Sequence, residues 1–151
     1  YGTVTGVQTC ALPISLIFFG FTHCPDICPT TMALLNQVYG QLPESDRADT
    51  RVVLVTVDPV RDTPAKLAEY VPYFNSEFLG VTGEYLDIHR LATGLNTPFR
   101  KVLIDDGPDY TMDHGASIAL INPRGEYHGF FKAPHDLGKL KLTYRSIRAT
   151  Y

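Results

Sequence analysis

The chain has no tryptophan, two methionines and three cysteines in 151 residues. Three cysteines are too few for a disulfide-stapled scaffold, and an odd number leaves one unpaired in any scheme, so stability must come from an apolar core. Hydrophobic residues at 44% and charged residues at 19% are the proportions of one ordinary globular domain. Basic charge is not in excess either. A formal net charge of −3, with scattered Lys and Arg, excludes the broad cationic surface that a phosphate backbone needs, so nucleic acid is not an expected partner. The longest apolar run, "ALPISLIFFGF", is broken by Pro13 and falls short of the about 20 residues that cross a bilayer.

The three cysteines are not equivalent. Cys10 lies in "VTGVQTCALPI", residues 4–14, which resembles the in-frame translation of a common short-read sequencing adaptor. Residues 1–14 are therefore expected to be non-native and the domain to run over 15–151, with the natural N-terminus and any targeting segment missing. Cys24 and Cys28 are four apart in "FGFTHCPDICPTTM", between an apolar run and a helical pattern.

Around them the elements alternate. "LIFFGF" from Leu16 reads as a buried strand, and "CPTTMALLNQVYGQL" as a helix with Met32, Leu35, Tyr39 and Leu42 on one face, stopping near Gly40 to Pro43. "RVVLVTV", residues 51–57, carries β-branched residues on both faces, as a central parallel strand does. Thr63 and Pro64 cap a helix striped by Leu67, Val71 and Phe74, and a third helix is expected in "GEYLDIHRLATGL". Strands "RKVLI" and "SIALINP" follow, the latter in a hairpin with "EYHGFF" across Pro123, Arg124 and Gly125, and a last helix starts after His135. The order predicts an α/β domain of three layers, a thioredoxin-like fold with a central mixed sheet flanked by helices.

Two thiols at i and i+4 around a helix start share a face, and the positive end of the helix dipole favours thiolate. That pattern serves a disulfide, a redox pair or a metal equally. Three intervening residues, Pro25, Asp26 and Ile27, depart from the two of dithiol oxidoreductases, and Pro25 and Asp26 argue against a place for the cysteines in the core. Soft monovalent copper takes two thiolates and an imidazole, whereas structural zinc needs a fourth ligand. His114, in the polar loop "YTMDHGAS" leading into the strand "SIALI", is the best placed of five histidines. His23 adjoins Cys24 but would have to fold back, and His89, His128 and His135 lie elsewhere.

In order, "FFGFTHCPDICPTTM", "VTVDPVRDTPAKLAEYV", "LGVTG" and "YTMDHGASIALINPRGEYHGFF" resemble the Sco/SenC family of copper-binding thioredoxin-like proteins, over roughly Leu16 to the C-terminus. The resemblance implies one copper ion held by Cys24, Cys28 and His114. It implies delivery of copper to the binuclear copper centre of cytochrome c oxidase, or upkeep of that centre's cysteines, from a membrane-anchored position facing the periplasm. The oxidase copper-site subunit, other copper chaperones and thiol oxidoreductases are the partners it implies. Asp58 matches a family acid that tunes or orients the site, with loop capping as the alternative; Asp62 reads as a cap or ion pair, and Asp113 as a neighbour of His114 outside the site. Gly115 departs from the hydroxyl residue common there, and the family's upstream strands are missing.

Alternatives follow from the same residues. A thiol–disulfide reductase would use Cys24 to attack and Cys28 to resolve, without metal. A peroxiredoxin-like peroxidase lacks its Thr three residues before Cys24 and an obvious Arg, and a structural zinc module lacks a fourth ligand.

Overall fold

The computed structural model describes residues 12–105 and 107–151. The first apolar run forms β1, Ile14–Gly20, followed by α1, Ile27–Gln41, and a short α2, Glu44–Arg47. Next come β2, Thr50–Thr56, α3, Pro64–Phe74, β3, Leu79–Val81, and α4, Tyr85–Gly94. The chain ends with β4, Phe99–Leu103, β5, Tyr110–His114, β6, Ile118–Ile121, β7, Tyr127–Phe131, and α5, Leu137–Arg148. The expected domain start at residue 15 falls inside β1. Leu12 donates its N–H to the Pro123 carbonyl and Ile14 is buried, whereas residues 1–11, including Cys10, lie outside the described residues.

Five strands form a mixed sheet in the order β3-β2-β1-β6-β7. β1 pairs in parallel with β2 and antiparallel with β6, so Phe18 near the end of β1 faces Ile118 at the start of β6. That register fixes the site's location: whatever precedes β6 arrives at the end of β1 from which the cysteine loop departs. The core runs along this centre through Leu16, Phe18, Val52, Leu54 and Leu120 to Met32 and Leu35 of α1, which packs against both α3 and α5.

Local chemistry accounts for the boundaries. Thr63 accepts from the Lys66 N–H at the start of α3, and Asp136 from the Lys139 N–H at the start of α5. The β6–β7 turn is built on the Asn122 side chain, which accepts from the N–H groups of Arg124 and Glu126, and on Gly125 at φ 80°.

One expectation is corrected. "YTMDH" is not a loop but β5, and it pairs antiparallel with β4, from Phe99 opposite His114 to Leu103 opposite Tyr110. This two-stranded hairpin stands apart from the five-stranded sheet. Its alternation of half-buried Tyr110, buried Met112 and buried His114 with exposed Asp113 is a strand pattern too short to outweigh its polar residues.

Candidate metal centre

The cysteine loop leaves β1 at Gly20. A Cβ there would meet Cys28 Sγ at 2.8 Å, the Phe18 ring at 3.0 Å and Leu54 Cδ1 at 3.1 Å, so only glycine lets the Cys28 sulfur lie against the end of the strand. Cys28, in the first turn of α1, is wholly buried and its sulfur accepts from the Phe21 N–H at 3.4 Å. Pro25 and Asp26 suggested that neither cysteine belongs to the core; Cys28 does, while Cys24 stays half-buried with its sulfur 3.4 Å from the Cys28 N–H. Burial pushes the Cys28 thiol up from its ordinary value, with Cys24 adding to the rise, and this outweighs the lowering by the Phe21 N–H. The expected gain from the helix dipole is thus overridden at Cys28.

His114 closes the cluster. Its Nε2 is 3.3 Å from Cys28 Sγ, and its Nδ1 donates to the Gly115 carbonyl at 2.9 Å, which leaves the Nε2 lone pair facing the sulfur. Phe18 and Phe21 meet the imidazole edge-on at 5.9 and 5.5 Å between centroids. Burial lowers its pKa, more than the Gly115 carbonyl and Asp113 raise it, so the ring is held neutral, as a ligand must be. A cleft of about 350 Å³ lined by Pro98, Phe99, Arg100, Asp113, His114 and Gly115 opens beside it.

The donor atoms of Cys24, Cys28 and His114 all lie within 4.8 Å of one another, and no other His, Cys, Asp or Glu among the described residues joins them. Two sulfurs and one imidazole nitrogen fit a soft, three-coordinate ion; closed zinc sites take four ligands. His23 instead turns to Thr22 Oγ1 at 3.3 Å, His89 packs on Phe99, His128 bonds the Tyr151 hydroxyl and His135 the Ala116 carbonyl. Asp113 points to the exposed face of β5 and pairs with Arg100 at 3.1 Å.

The acids of "VDPVRD" stand one step back. Asp62, fully buried, accepts from the Thr22 N–H at 3.0 Å, Thr22 Oγ1 at 2.5 Å and Thr56 Oγ1 at 2.8 Å, which fastens the cysteine loop to the end of β2. Asp58, 3% exposed, accepts from the Tyr110 hydroxyl at 2.8 Å and from Arg61. Gly20 and Tyr110 were not singled out from sequence. A strand-terminal glycine before a cysteine loop was the available signal for the first, and none marked the second.

The family described as SCO1/SenC matches residues 3–146 of the chain. A candidate copper-binding protein of Stutzerimonas stutzeri is 41% identical over 132 residues, covering 87% of this chain and 64% of that protein. A mitochondrial SCO2 homolog of Bos taurus is 38% identical over 137 residues, covering 90% and 52%. A crystal structure of Arabidopsis thaliana ScoI with copper bound superposes with a TM-score of 0.84 at 30% identity, covering 94% of this chain and 88% of that one. The chain spans less than two thirds of the length of the curated relatives it matches, 52% and 64% for these two.

Proposed function

We propose that this chain, which belongs to the SCO1/SenC family, carries one copper ion on Cys24, Cys28 and His114 and passes it by ligand exchange to the copper-site subunit of cytochrome c oxidase. The observation that carries the reading is the lone pair of His114 Nε2 directed at Cys28 Sγ from 3.3 Å. Two thiolates and an imidazole favour monovalent copper, and the half-buried Cys24 with the adjoining cleft gives a partner's thiolates an approach to the ion. The domain is proposed to comprise residues 15–151 and to work outside the cytoplasm on a membrane anchor. No helix among the described residues is long and apolar enough to be that anchor.

Anaerobic copper(I) titration of the reduced chain tests this. One copper per chain is expected for the parent and none held tightly by the Cys24–Cys28 disulfide form, because only thiolates ligate. His114→Ala should weaken binding beyond the about 10- to 100-fold that loss of a ligand's supporting partner gives. If His114→Ala binds as tightly as the parent while Cys28→Ser does not, the ligand set is wrong.

A second reading rests on the unequal burial of the thiols. Half-buried Cys24 could attack a partner disulfide and form a mixed disulfide, which buried Cys28 resolves, releasing the partner as dithiol and leaving Cys24–Cys28 oxidised. His114→Ala separates the two readings, since thiol exchange does not require the imidazole.

A further inference from the structure

One short loop reaches both halves of the site. Asp62 at its far end holds Thr22 of the cysteine loop, and Asp58 at its near end holds Tyr110 of the β4–β5 hairpin. Tyr110 begins β5 and His114 ends it. Four positions apart, they share the inward face of the strand, about 13 Å from each other, with buried Met112 between them. The hairpin pairs with no strand of the five-stranded sheet. Apart from the local bond of His114 to Gly115, two hydrogen bonds join the hairpin to the rest of the protein among the described residues: Tyr110 to Asp58 at one end and His114 to Cys28 at the other.

The Tyr110 end is reinforced. The Arg61 guanidinium lies 3.8 Å from the Tyr110 ring centroid and also pairs with Asp58, so ring, cation and carboxylate hold one another, and Lys101 Nζ lies 4.1 Å from the same centroid. A short strand is stiff along its length, so the angle at which β5 leaves Tyr110 sets where the imidazole arrives.

We propose that Tyr110 is a positioning residue for copper capture: its hydroxyl, donated to Asp58, fixes the hairpin so that His114 meets the two thiols. The inference rests on the copper reading of Cys24, Cys28 and His114, and it makes Asp58 act on the site through Tyr110 rather than by touching the metal.

Tyr110→Phe tests it, because the ring and its cations stay while the hydroxyl goes. Copper(I) affinity, measured anaerobically against a chromophoric chelator, should fall about tenfold in the otherwise parental chain. Imidazole scattering at the copper X-ray absorption edge should weaken in the same variant, with thermal unfolding showing that it is folded. In a His114→Ala background, Tyr110→Phe should produce no further loss, since the residue it positions is gone. An equal loss in both backgrounds would overturn the proposal in favour of general loosening, as would undiminished affinity and imidazole scattering in the single variant. If His114→Ala itself leaves copper affinity unchanged, the ligand assignment falls and the positioning role falls with it.

Discussion

The two sides of the candidate metal centre are built by different means. On the cysteine side, the loop is continuous with β1, Cys28 is part of the main core, and fully buried Asp62 binds Thr22 by both backbone and side chain. On the histidine side, a two-stranded hairpin holds its ligand through the burial of Phe99 and Met112 and the bond from Tyr110 to Asp58. The core therefore fixes half of the site as a consequence of folding, and the other half is set by contacts that can change without unfolding the sheet. Such a division suits the proposed delivery of an ion. A site closed by one adjustable ligand can release its cargo, whereas a cage built wholly into the core could not.

The comparison is most exposed at the two neighbouring acids. Asp62→Ala strips the acceptor from the fully buried Thr56 hydroxyl and from the half-buried Thr22 N–H and hydroxyl together; the expected loss is about 3 kcal/mol of folding stability. Asp58→Ala removes one acceptor from the half-buried Tyr110 hydroxyl and Arg61 guanidinium, and should cost about 1 kcal/mol. Denaturant melts of the two variants in the reduced, metal-free form decide it. Equal losses would mean that the histidine side is as deeply built as the cysteine side.

Two glycines sharpen the same contrast at smaller amplitude. Gly20→Ala places a methyl 2.8 Å from Cys28 Sγ among side chains that are themselves buried, and overpacking of this kind should cost about 2 kcal/mol and displace the sulfur. Gly115→Ala, next to His114, meets nothing nearer than the Ser117 nitrogen at 4.0 Å and requires no unusual φ, so stability should change by less than about 0.5 kcal/mol. That openness also explains how a hydroxyl residue could stand where this chain has glycine. Thermal melts that rank Gly115→Ala below Gly20→Ala in stability would reverse the comparison.

Legibility in the sequence followed the same divide. β1, α1, β2 and α3 could be read because their signals are local: an apolar run, a 3.6-residue stripe, β-branched residues on both faces, and Thr63 with Pro64 at a helix start. The cluster of Cys24 and Cys28 with His114 was legible only because motif order along the chain supplied what spacing could not, as 86 positions separate Cys28 from His114. β5 was missed because five residues with a polar Thr, Asp and His carry too little apolar alternation, and its partner β4 was expected in company with the main-sheet strands. β3, three exposed residues long, gave no pattern at all. The bond from Tyr110 to Asp58 spans 52 positions and leaves no trace in the local sequence.

A dependence on pH assigns one end of the stability profile to each half of the site. Burial raises the Cys28 pKa in the folded protein, so above the ordinary thiol value of 9.0 the unfolded chain loses a proton that the folded chain keeps. The folded state then binds more protons, and stability falls as pH rises, by at most about 1.4 kcal/mol per unit for this group. Tyr70 and Tyr144, also raised by burial, join only above their ordinary value of 10.0, so the interval between 9 and 10 reports Cys28. His114 acts at the other end. Burial lowers its pKa, the unfolded chain takes up a proton below 6.5 before the folded chain does, and stability falls as pH drops through that region. Urea titrations of the reduced, metal-free protein across both intervals should show Cys28→Ala losing the alkaline slope and keeping the acid one, and His114→Ala doing the reverse. Slopes are insensitive to the constant offset each truncation adds, so a Cys28→Ala variant that retains the parent's decline between pH 9 and 10 would show that the buried thiol is not the group being titrated.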